Sequence, residues 1–494
     1  MFRKYYASNR MRDFPTDYNG VRKGAQKLSL KIWNCLVVLC VVVVGVTFFY
    51  NKSHRLVDNL YLLPLAFLVY LFLARKVFRK QPGIAVIIIN LIMICRFLVI
   101  PVMYALTDSY RGVMINKNLN QAVWYMAYEE IVVGIMMYFW GSIKHKDHPC
   151  QLKVENEEHS IRPFTVLILL FWFFIIGVNS KLRGNLLNFS LITRKEMGFE
   201  NYISLQEYQA DIPGVYKVFF YIGLLILFTS LVKMIANRQI HRVLKCILLL
   251  AVCIGYISSM WSSGVNVSRW GMLVSTIISV NVLLYVFPNK KKQILIVGII
   301  GVTAVVLGGS LLKSFSHGYT DFTLLDSTKR YFTAEYFDEY FQGIAPVSNG
   351  LETAKRYGDK RGIEGVFLDC FYNFPYAMKL LGISDGKVAT EYFHQATGHY
   401  DLIMPTLTES VMQFGTIFAP MYSCVLVLLA MWFDRKQQAS KTLYKKMFYT
   451  VLVFWTSLFM AVSTNVIEAN IWYAVIGVWL ILIEEKLKLK IIKK

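Results

Sequence analysis

Long, uninterrupted runs of apolar residues constrain the fold of this chain more than any other feature. A helix of about 20 apolar residues crosses a hydrocarbon core about 30 Å thick. Twelve runs approach that length: 32–50, 60–74, 84–106, 121–140, 163–179, 214–232, 246–262, 270–287, 294–312, 410–433, 447–463 and 467–483. Transmembrane β-strands would instead alternate over about ten residues. The sequence predicts an all-α, polytopic integral membrane protein with about twelve transmembrane helices.

The charge pattern supports a membrane protein and sets its expected orientation. Only 17% of the 494 residues are charged, against about 25% in soluble proteins. The net charge of +22 lies mainly in clusters between the apolar runs: the tail before Lys31, Arg75–Lys80, Lys144–Lys153, Lys233–Lys245, Lys290–Lys292, Arg435–Lys446 and Lys486–Lys494. With a cytosolic N-terminus all seven clusters face the cytosol, as the positive-inside bias requires. We therefore expect a multi-pass membrane protein with both termini cytosolic and no nucleic-acid partner.

The runs divide the chain into four parts. We expect a cytosolic basic tail (1–31), nine transmembrane helices (32–312), a large extracytoplasmic loop (313–409), and three further helices with a basic cytosolic tail (410–494). About thirty polar residues precede the first run, which predicts an uncleaved anchor instead of a signal peptide. Of the eight cysteines, only Cys370 lies in the large loop, so no disulfide framework is predicted there.

The large loop is the best sequence clue to function. It is rich in aromatic residues and predicts short amphipathic helices at Thr328–Phe341, Gly350–Tyr357 and Ile363–Leu381, with glycines at the breaks. Such segments lie on the bilayer surface or roof a cavity. An enzyme acting on a lipid-anchored substrate has a use for one large insert on one face, whereas a transporter has little. The alternative is a cap without chemistry.

Three ionisable residues inside predicted spans are candidates for binding an anionic substrate. Arg96 lies past the middle of the third span, and Glu129 and Glu130 lie in the outer half of the next. A buried arginine needs a carboxylate, a phosphate or water. Arg96 is therefore predicted either to pair with one of the glutamates as a structural contact or to hold a diphosphate headgroup, with Glu129 setting its orientation.

Arg269 stands at the outer mouth of the eighth predicted span, after a loop of small residues. An arginine that snorkels beside a tryptophan is common at this depth. The positive-inside bias disfavours an arginine on the outer face, however, and backbone N–H groups at a helix start bind anions. We therefore predict that Arg269 binds phosphate.

The end of the large loop carries the candidate catalytic residues. His399 and Asp401 lie in Thr-Gly-His-Tyr-Asp, and Glu409 follows after Pro405. A neutral histidine can take a proton from a sugar hydroxyl, and the two carboxylates could orient it or act as bases themselves. A surface histidine without a catalytic role is the alternative. His394 and Arg330 complete the predicted substrate-binding set.

The sequence contains none of the standard motifs for nucleotide, metal or redox chemistry. The sequence has no P-loop, no G-x-G-x-x-G, no H-E-x-x-H and no C-x-x-C pair, so neither a metal nor a cofactor is predicted. No inner loop exceeds about two dozen residues, which leaves no room for a cytosolic nucleotide-sugar domain. We expect any sugar donor to be lipid-linked and used on the outer face.

The chain resembles the Wzy-type polymerases of O-antigen, capsule and exopolysaccharide, the oligosaccharide repeat-unit polymerases. The resemblance rests on the many spans, the late outer loop, Ser-Arg269-Trp-Gly at a span start, and Gly398-His399…Pro405…Glu409…Phe414-Gly415. The related O-antigen ligases place H-x-H-N in their loop, and this chain lacks it.

The resemblance implies metal-independent glycosyl transfer between oligosaccharides on polyprenyl diphosphate, with arginines holding the diphosphate and a base activating the acceptor hydroxyl. Membrane lipid, a chain-length regulator and a flippase are the further expected partners. Two alternatives stay open: a flippase or transporter of lipid-linked oligosaccharides, and an O-antigen ligase-like glycosyltransferase.

Overall fold

The computed structural model describes residues 18–52, 56–79, 83–107, 115, 118–143, 163–184, 186, 212–261, 269–316, 333–358, 361–374, 376–382, 387–399, 402–440 and 442–492. Within these ranges the chain is helical and forms no β-strand. The predicted all-α class is confirmed for this part of the chain.

The helices fall into a bundle and a set of shorter helices. The first part of the bundle comprises α1 (Tyr18–Phe49), α2 (Leu62–Arg79), α3 (Ile84–Ile94), a π-helical turn (Cys95–Val99), α4 (Ile100–Leu106), α5 (Leu119–Ser142), α6 (Pro163–Val178), α7 (Ser180–Gly184), α8 (Gly214–Asn237), α9 (Arg242–Trp261), α10 (Arg269–Val286), a 3-10 turn (Pro288–Lys290) and α11 (Lys291–Ser316). The shorter helices, which we call the cap, are α12 (Ala334–Tyr340), α13 (Ile344–Tyr357), α14 (Glu364–Phe371), α15 (Ala377–Leu380), α16 (Ala389–Thr397) and α17 (Thr406–Phe414). The bundle ends with α18 (Met421–Ala439), α19 (Leu443–Ser457) and α20 (Thr464–Ile492).

Five stretches of the described chain are long and apolar enough to cross a membrane: Ser29–Phe49, Ile84–Leu106, Gly214–Asn237, Arg242–Met260 and Thr464–Leu487. Two shorter helices, Thr165–Val178 and Gly271–Val286, are also apolar. The protein therefore has the helices of a membrane protein, whereas the predicted number of about twelve spans stays a prediction.

The outer faces of several bundle helices are apolar. Val41 on α1, Leu170 on α6, Ile247 on α9 and Ile299 on α11 are all more than half exposed. Rows of exposed aliphatic side chains are unfavourable in water and suit contact with lipid.

Helix α19 occupies the centre of the bundle. Every residue from Met447 to Ser457 is buried, and the helix packs against α3, α8, α10, α18 and α20. A helix that is buried on all sides needs no polar stripe. Its run of apolar and aromatic residues is interrupted only by Thr450, Thr456 and Ser457, whose hydroxyls donate to carbonyls of the same helix.

The two ends of the bundle differ in chemistry. One end carries lysines and arginines: Lys76 donates to Ser142 Oγ at 3.1 Å, and Lys445 pairs with Glu485 at 3.1 Å. The opposite end carries the cap, which packs on α5 and on the start of α20. We call these the basic end and the cap end.

The predicted span 410–433 is not one continuous helix. Helix α17 ends at Phe414, Gly415 has φ +79°, and α18 begins at Met421 after Pro420. At Gly415 the backbone takes a positive φ that residues with side chains rarely adopt, and Pro420 has no N–H to continue a helical ladder. The segment therefore consists of a short cap helix and a separate bundle helix.

Asp338 and α13 anchor the cap. Asp338 lies on α12. It accepts hydrogen bonds from the N–H groups of Ile344 (2.6 Å) and Ala345 (2.9 Å), the first residues of α13. It also accepts from the Tyr104 hydroxyl at 3.0 Å, which joins the cap to the bundle. A carboxylate at a helix N-terminus satisfies N–H groups that otherwise lack partners.

The cap helices agree only partly with the sequence prediction. Helices at 334–340, 344–357 and 364–371 lie close to the predicted segments, although α13 begins six residues earlier than expected. The predicted helix Ile363–Leu381 is two helices, and α16, which precedes His399, was not predicted.

Candidate functional site

Arg96 and Glu129 form an ion pair inside the bundle. The Arg96 Nη1 to Glu129 Oε2 distance is 2.8 Å, and both side chains are almost fully buried. Ser423 on α18 donates to the other Glu129 oxygen. This is the structural pairing that the sequence offered as one alternative, and the diphosphate role of Arg96 stays a prediction.

Glu130, the next residue on α5, is also fully buried. Its two carboxyl oxygens, and Arg96 Nε and Nη2, find no hydrogen-bond partner among the described residues. Glu129 and Glu130 therefore lie with Arg96 at a polar centre of the bundle, where Glu129 pairs with Arg96. Their roles in substrate binding stay predictions.

Arg269 is the first residue of α10, which agrees with its prediction at a span start. Its side chain and the preceding residues 262–268 lie outside the described part of the chain. Arg330 and Asp401 also lie outside the described residues.

His394 and His399 have different surroundings. His394 on α16 is half-buried, and its Nε2 lies 2.7 Å from the Leu402 carbonyl oxygen. His399 is exposed just after α16, beyond Gly398 at φ +72°. The His394 contact ties α16 to Leu402, three residues beyond His399 in the chain.

A buried ionic cluster lies where the cap meets the bundle. Arg361 binds Asp369 through two hydrogen bonds of 2.7 Å, and both charged groups are buried. Arg361 Nη2 also donates to the Gly365 carbonyl, while Asp369 Oδ1 accepts from the Ala389 N–H at the start of α16. Two-pronged pairs of this kind fix the relative orientation of their elements.

Glu409 on α17 joins this cluster and is fully buried. Its Oε2 accepts the Thr464 N–H at 2.8 Å, at the first turn of α20. Its Oε1 has no partner among the described residues. Burial and the neighbouring Asp369 carboxylate raise the pKa of Glu409 to about 8, although Thr464 and Arg361 act in the opposite direction. Burial therefore favours the protonated form of Glu409 in the folded protein.

A second contact fastens the cap to α20. Glu468, one turn after Thr464, accepts hydrogen bonds from the backbone N–H (2.9 Å) and the side-chain amide (2.7 Å) of Asn373. Trp472 donates to the same carboxylate and packs against Phe374. One face of α20 thus holds the cap at two successive turns.

The opposite face of α20 borders a cavity of about 210 Å³. It lies between α8, α9, α10, α19 and α20 and is lined by Tyr221, Met260, Gly271, Val274, Trp455, Ala469, Asn470 and Tyr473. Gly271 follows Arg269 by two residues, and Trp455 lies near the cap end of α19. The cavity is therefore at the cap end of the bundle, beside the helix that Arg269 begins.

Sequence reasoning found Glu409 and missed Arg361 and Asp369. No periodic signal pairs them in the sequence, because Arg361 precedes α14 and the turn at Gly362, with φ +56°, brings it back to Asp369. Among the described residues, no three His, Cys, Asp or Glu side chains are grouped so that they could hold a metal ion.

No family model, no curated protein and no solved structure matches this chain.

Proposed function

We propose that this protein is a polysaccharide polymerase that joins oligosaccharide repeat units carried on polyprenyl diphosphate. The single observation that carries the proposal is the cavity at the cap end of the bundle. It is lined by aromatic and amide side chains, and it adjoins the start of the helix headed by Arg269. A site at this depth suits a substrate whose lipid lies in the bilayer and whose glycan projects beyond it.

The cap supports the same function because it is built as a fixed part of the molecule. Asp338, Glu409 and Glu468 tie it to the bundle through buried hydrogen bonds. A cap held in this way can bring residues of the outer segment to a substrate at the bundle end, and fixed geometry lowers the entropic cost of joining two large reactants.

The proposed reaction assigns roles to His399, Arg269 and Glu409. The acceptor hydroxyl oxygen forms a bond to the anomeric carbon of the donor sugar and gives its proton to His399. The bond from that carbon to the diphosphate oxygen breaks, and its electron pair leaves with the diphosphate. Arg269 stabilises the charge that develops there. Glu409 is fully buried and accepts the Thr464 N–H at the start of α20, so we assign it to positioning the cap.

The proposal includes about twelve spans, with the basic end in the cytosol and the cap outside a bacterial cytoplasmic membrane. The distribution of lysine and arginine supports this orientation, because cytosolic segments carry an excess of both. The cap end then faces the compartment in which translocated lipid-linked units are available.

The test is to analyse the lipid-linked glycans of a strain that lacks the protein. A polymerase predicts single repeat units that accumulate on lipid at the outer face. Accumulation at the inner face would instead assign a flippase, and polymer retained on lipid would assign a ligase.

Complementation of that strain tests the site. His399→Ala should lower polymer formation about 10²-fold or more, which is the contribution of a positioned base. Gln395→Ala, on the exposed side of α16, is the matched control. His394→Ala is not suitable as a control, because the His394 ring contacts the Leu402 carbonyl just beyond His399. Normal polymer from folded His399→Ala protein would remove His399 from the mechanism.

A further inference from the structure

The exposed apolar side chains of the described cap helices are concentrated in one segment, residues 363–381. This segment contains α14 and α15. Its exposed large apolar side chains are Ile363, Phe367, Tyr372, Tyr376, Leu380 and Leu381. No large apolar side chain is exposed on α12, α13, α16 or α17, the other cap helices. The 363–381 segment therefore has a surface that differs from the rest of the cap and is unfavourable in water.

The 363–381 segment is held along one side of α20. Asn373 donates from its backbone and its side chain to Glu468, and its side-chain amide donates to Asn465 at 3.0 Å. One turn further along α20, the Phe374 and Trp472 rings lie 4.5 Å apart. Residues three or four positions apart lie on the same face of a helix, so positions 465, 468 and 472 form one stripe. The segment therefore lies against the side of α20 and covers this stripe.

The same stripe continues onto the lipid-facing surface of the bundle. Trp479 follows Trp472 by seven residues, which places it two turns further along the same face. Its side chain is 60% exposed. Both tryptophans belong to the apolar stretch Thr464–Leu487, which is long enough to cross a membrane. The face of α20 that the 363–381 segment covers at Trp472 is thus open to lipid at Trp479.

Helix α14 carries an apolar row that extends away from α20. Ile363, Phe367 and Phe371 follow one another at intervals of four residues and so share one face. The Phe371 ring contacts both Trp472 and Phe367. The exposed fraction then rises to 39% at Phe367 and 75% at Ile363. Asp369, on the opposite face of α14, is buried in the ionic cluster. The helix is therefore amphipathic, with one face in the cap and the other uncovered.

The contact at Trp472 sets the depth of the 363–381 segment. Eight residues separate Trp472 from Thr464, where the apolar stretch begins, and this corresponds to about 12 Å along the helix axis. The segment therefore runs beside the first two turns of a membrane-crossing helix. Aromatic side chains are enriched at this level of a bilayer, and lysines reach from it to the headgroups. Tyr372, Tyr376 and Lys379 are exposed in the segment.

We propose that the 363–381 segment docks on the bilayer, with Phe367, Leu380 and Leu381 at the boundary between the lipid headgroups and the acyl chains. Phospholipid is the occupant, because this surface continues the lipid-facing stripe of α20 and combines apolar and aromatic side chains with an exposed lysine. The inference does not rest on the proposed function, since it requires only that α20 crosses a membrane. The cap is then fixed twice, by buried carboxylates on the bundle and by this segment on the lipid.

Spin labels test this docking in the full-length protein in phospholipid nanodiscs. Leu380→Cys, in a background without the native cysteines, carries the nitroxide, and power saturation compares its collisions with oxygen and with a neutral nickel chelate. Oxygen concentrates in lipid, whereas the chelate stays in water. We expect the label at position 380 to favour oxygen, as a label in Trp479→Cys does. A label in Gln395→Cys, at an exposed position of the same cap, should favour the nickel chelate.

Two results would overturn the docking. A label at position 380 that favours the nickel chelate, as the label at position 395 does, would show that the surface faces water. A label at position 380 that is shielded from both reagents would show that a second copy of the chain or another protein covers the surface.

A photoreactive side chain identifies the occupant even if the Leu380→Cys protein fails to fold. Benzoylphenylalanine replaces Tyr376, which is 66% exposed, and the protein is irradiated in native membranes. Mass spectrometry should find phospholipid adducts at position 376. The same side chain in place of Gln395 should give none. Adducts at position 376 to protein and not to phospholipid would contradict the inference.

Discussion

Two buried arginines hold different parts of this molecule, and their contacts differ accordingly. Arg361 engages Asp369 with two nitrogens and fixes the turn before α14 to the start of α16. Arg96 engages Glu129 with one nitrogen and joins two bundle helices. Removing one partner of a buried pair leaves an uncompensated charge at a cost of about 3–5 kcal/mol. Loss of protein in either Arg→Ala variant is therefore no evidence of a catalytic role.

Glu409 gives the cap a dependence on pH. Its pKa rises from the ordinary 4.5 to about 8 in the folded protein, so folding takes up a proton between these values. Stability from this group is then greatest at low pH and falls as the pH rises to about 8. The carboxyl group interacts electrostatically with Arg361, Asp369, Cys370 and Tyr422.

Glu409→Gln mimics the protonated acid and should remove this dependence. Thermal unfolding of the purified protein should show wild type losing stability towards pH 8 more steeply than the variant. Glu364→Gln, at an exposed acid of the same cap, should follow wild type. A variant whose stability falls as steeply as that of wild type would show that Glu409 is ionised throughout.

The sequence identifies Glu409 and Arg96 as unusual ionisable residues, but it does not identify the residues that they contact. Glu409 stands out because it ends the large loop, and Arg96 because it interrupts an apolar run. The pairing of Arg361 with Asp369 depends on the turn at Gly362, which has φ +56°. Such a turn closes a tertiary contact that periodicity does not encode.

The crossing of α13 and α17 depends on one glycine. A Cβ built on Gly350 would lie 2.2 Å from Thr408 Oγ1 and 2.7 Å from Thr408 Cβ. The two helices approach each other here because position 350 has no side chain. Thr408 is on the same helix as Glu409, so the spacing of this crossing also sets the position of the ionic cluster.

Gly350→Ala should therefore loosen the cap. Overpacking typically costs about 1–3 kcal/mol, which exceeds the gain of about 1 kcal/mol from replacing glycine in a helix. The readouts are thermal unfolding and the rate of proteolysis within the cap. Gly45→Ala on α1, where a Cβ meets nothing within 4 Å, is the control and should be neutral or stabilising. Equal behaviour of the two variants would contradict a close crossing.

The helices that the sequence predicts well are those with long, uninterrupted runs of apolar residues. The spans 84–106 and 214–232 correspond closely to helices, because burial in lipid or in the bundle demands continuous hydrophobicity. The short cap helices are set by glycine turns and by capping contacts such as Asp338 with Ile344. Their boundaries are decided by tertiary contacts, so α16 and the break at Gly415 could not be derived from composition.

At the scale of the whole molecule, the two ends of the bundle should face different compartments. Single cysteines placed at Lys387 in the cap and at Lys291 at the basic end, both exposed, report this in a background without the native cysteines. An impermeant maleimide should label position 387 in intact cells and position 291 only after lysis. The reverse pattern would put His399 in the cytosol and remove the proposed mechanism.

The central place of α19 has a consequence for how the protein is made. The ribosome completes this helix after all of α1–α11 and the cap, yet α3, α8 and α10 pack directly against it. The space between α3, α8 and α10 therefore stays unfilled until residues 443–457 are made, although α2 already packs against α5. A nascent chain that stops before this point lacks the helix at its centre, so quality control in the membrane can recognise it by that gap.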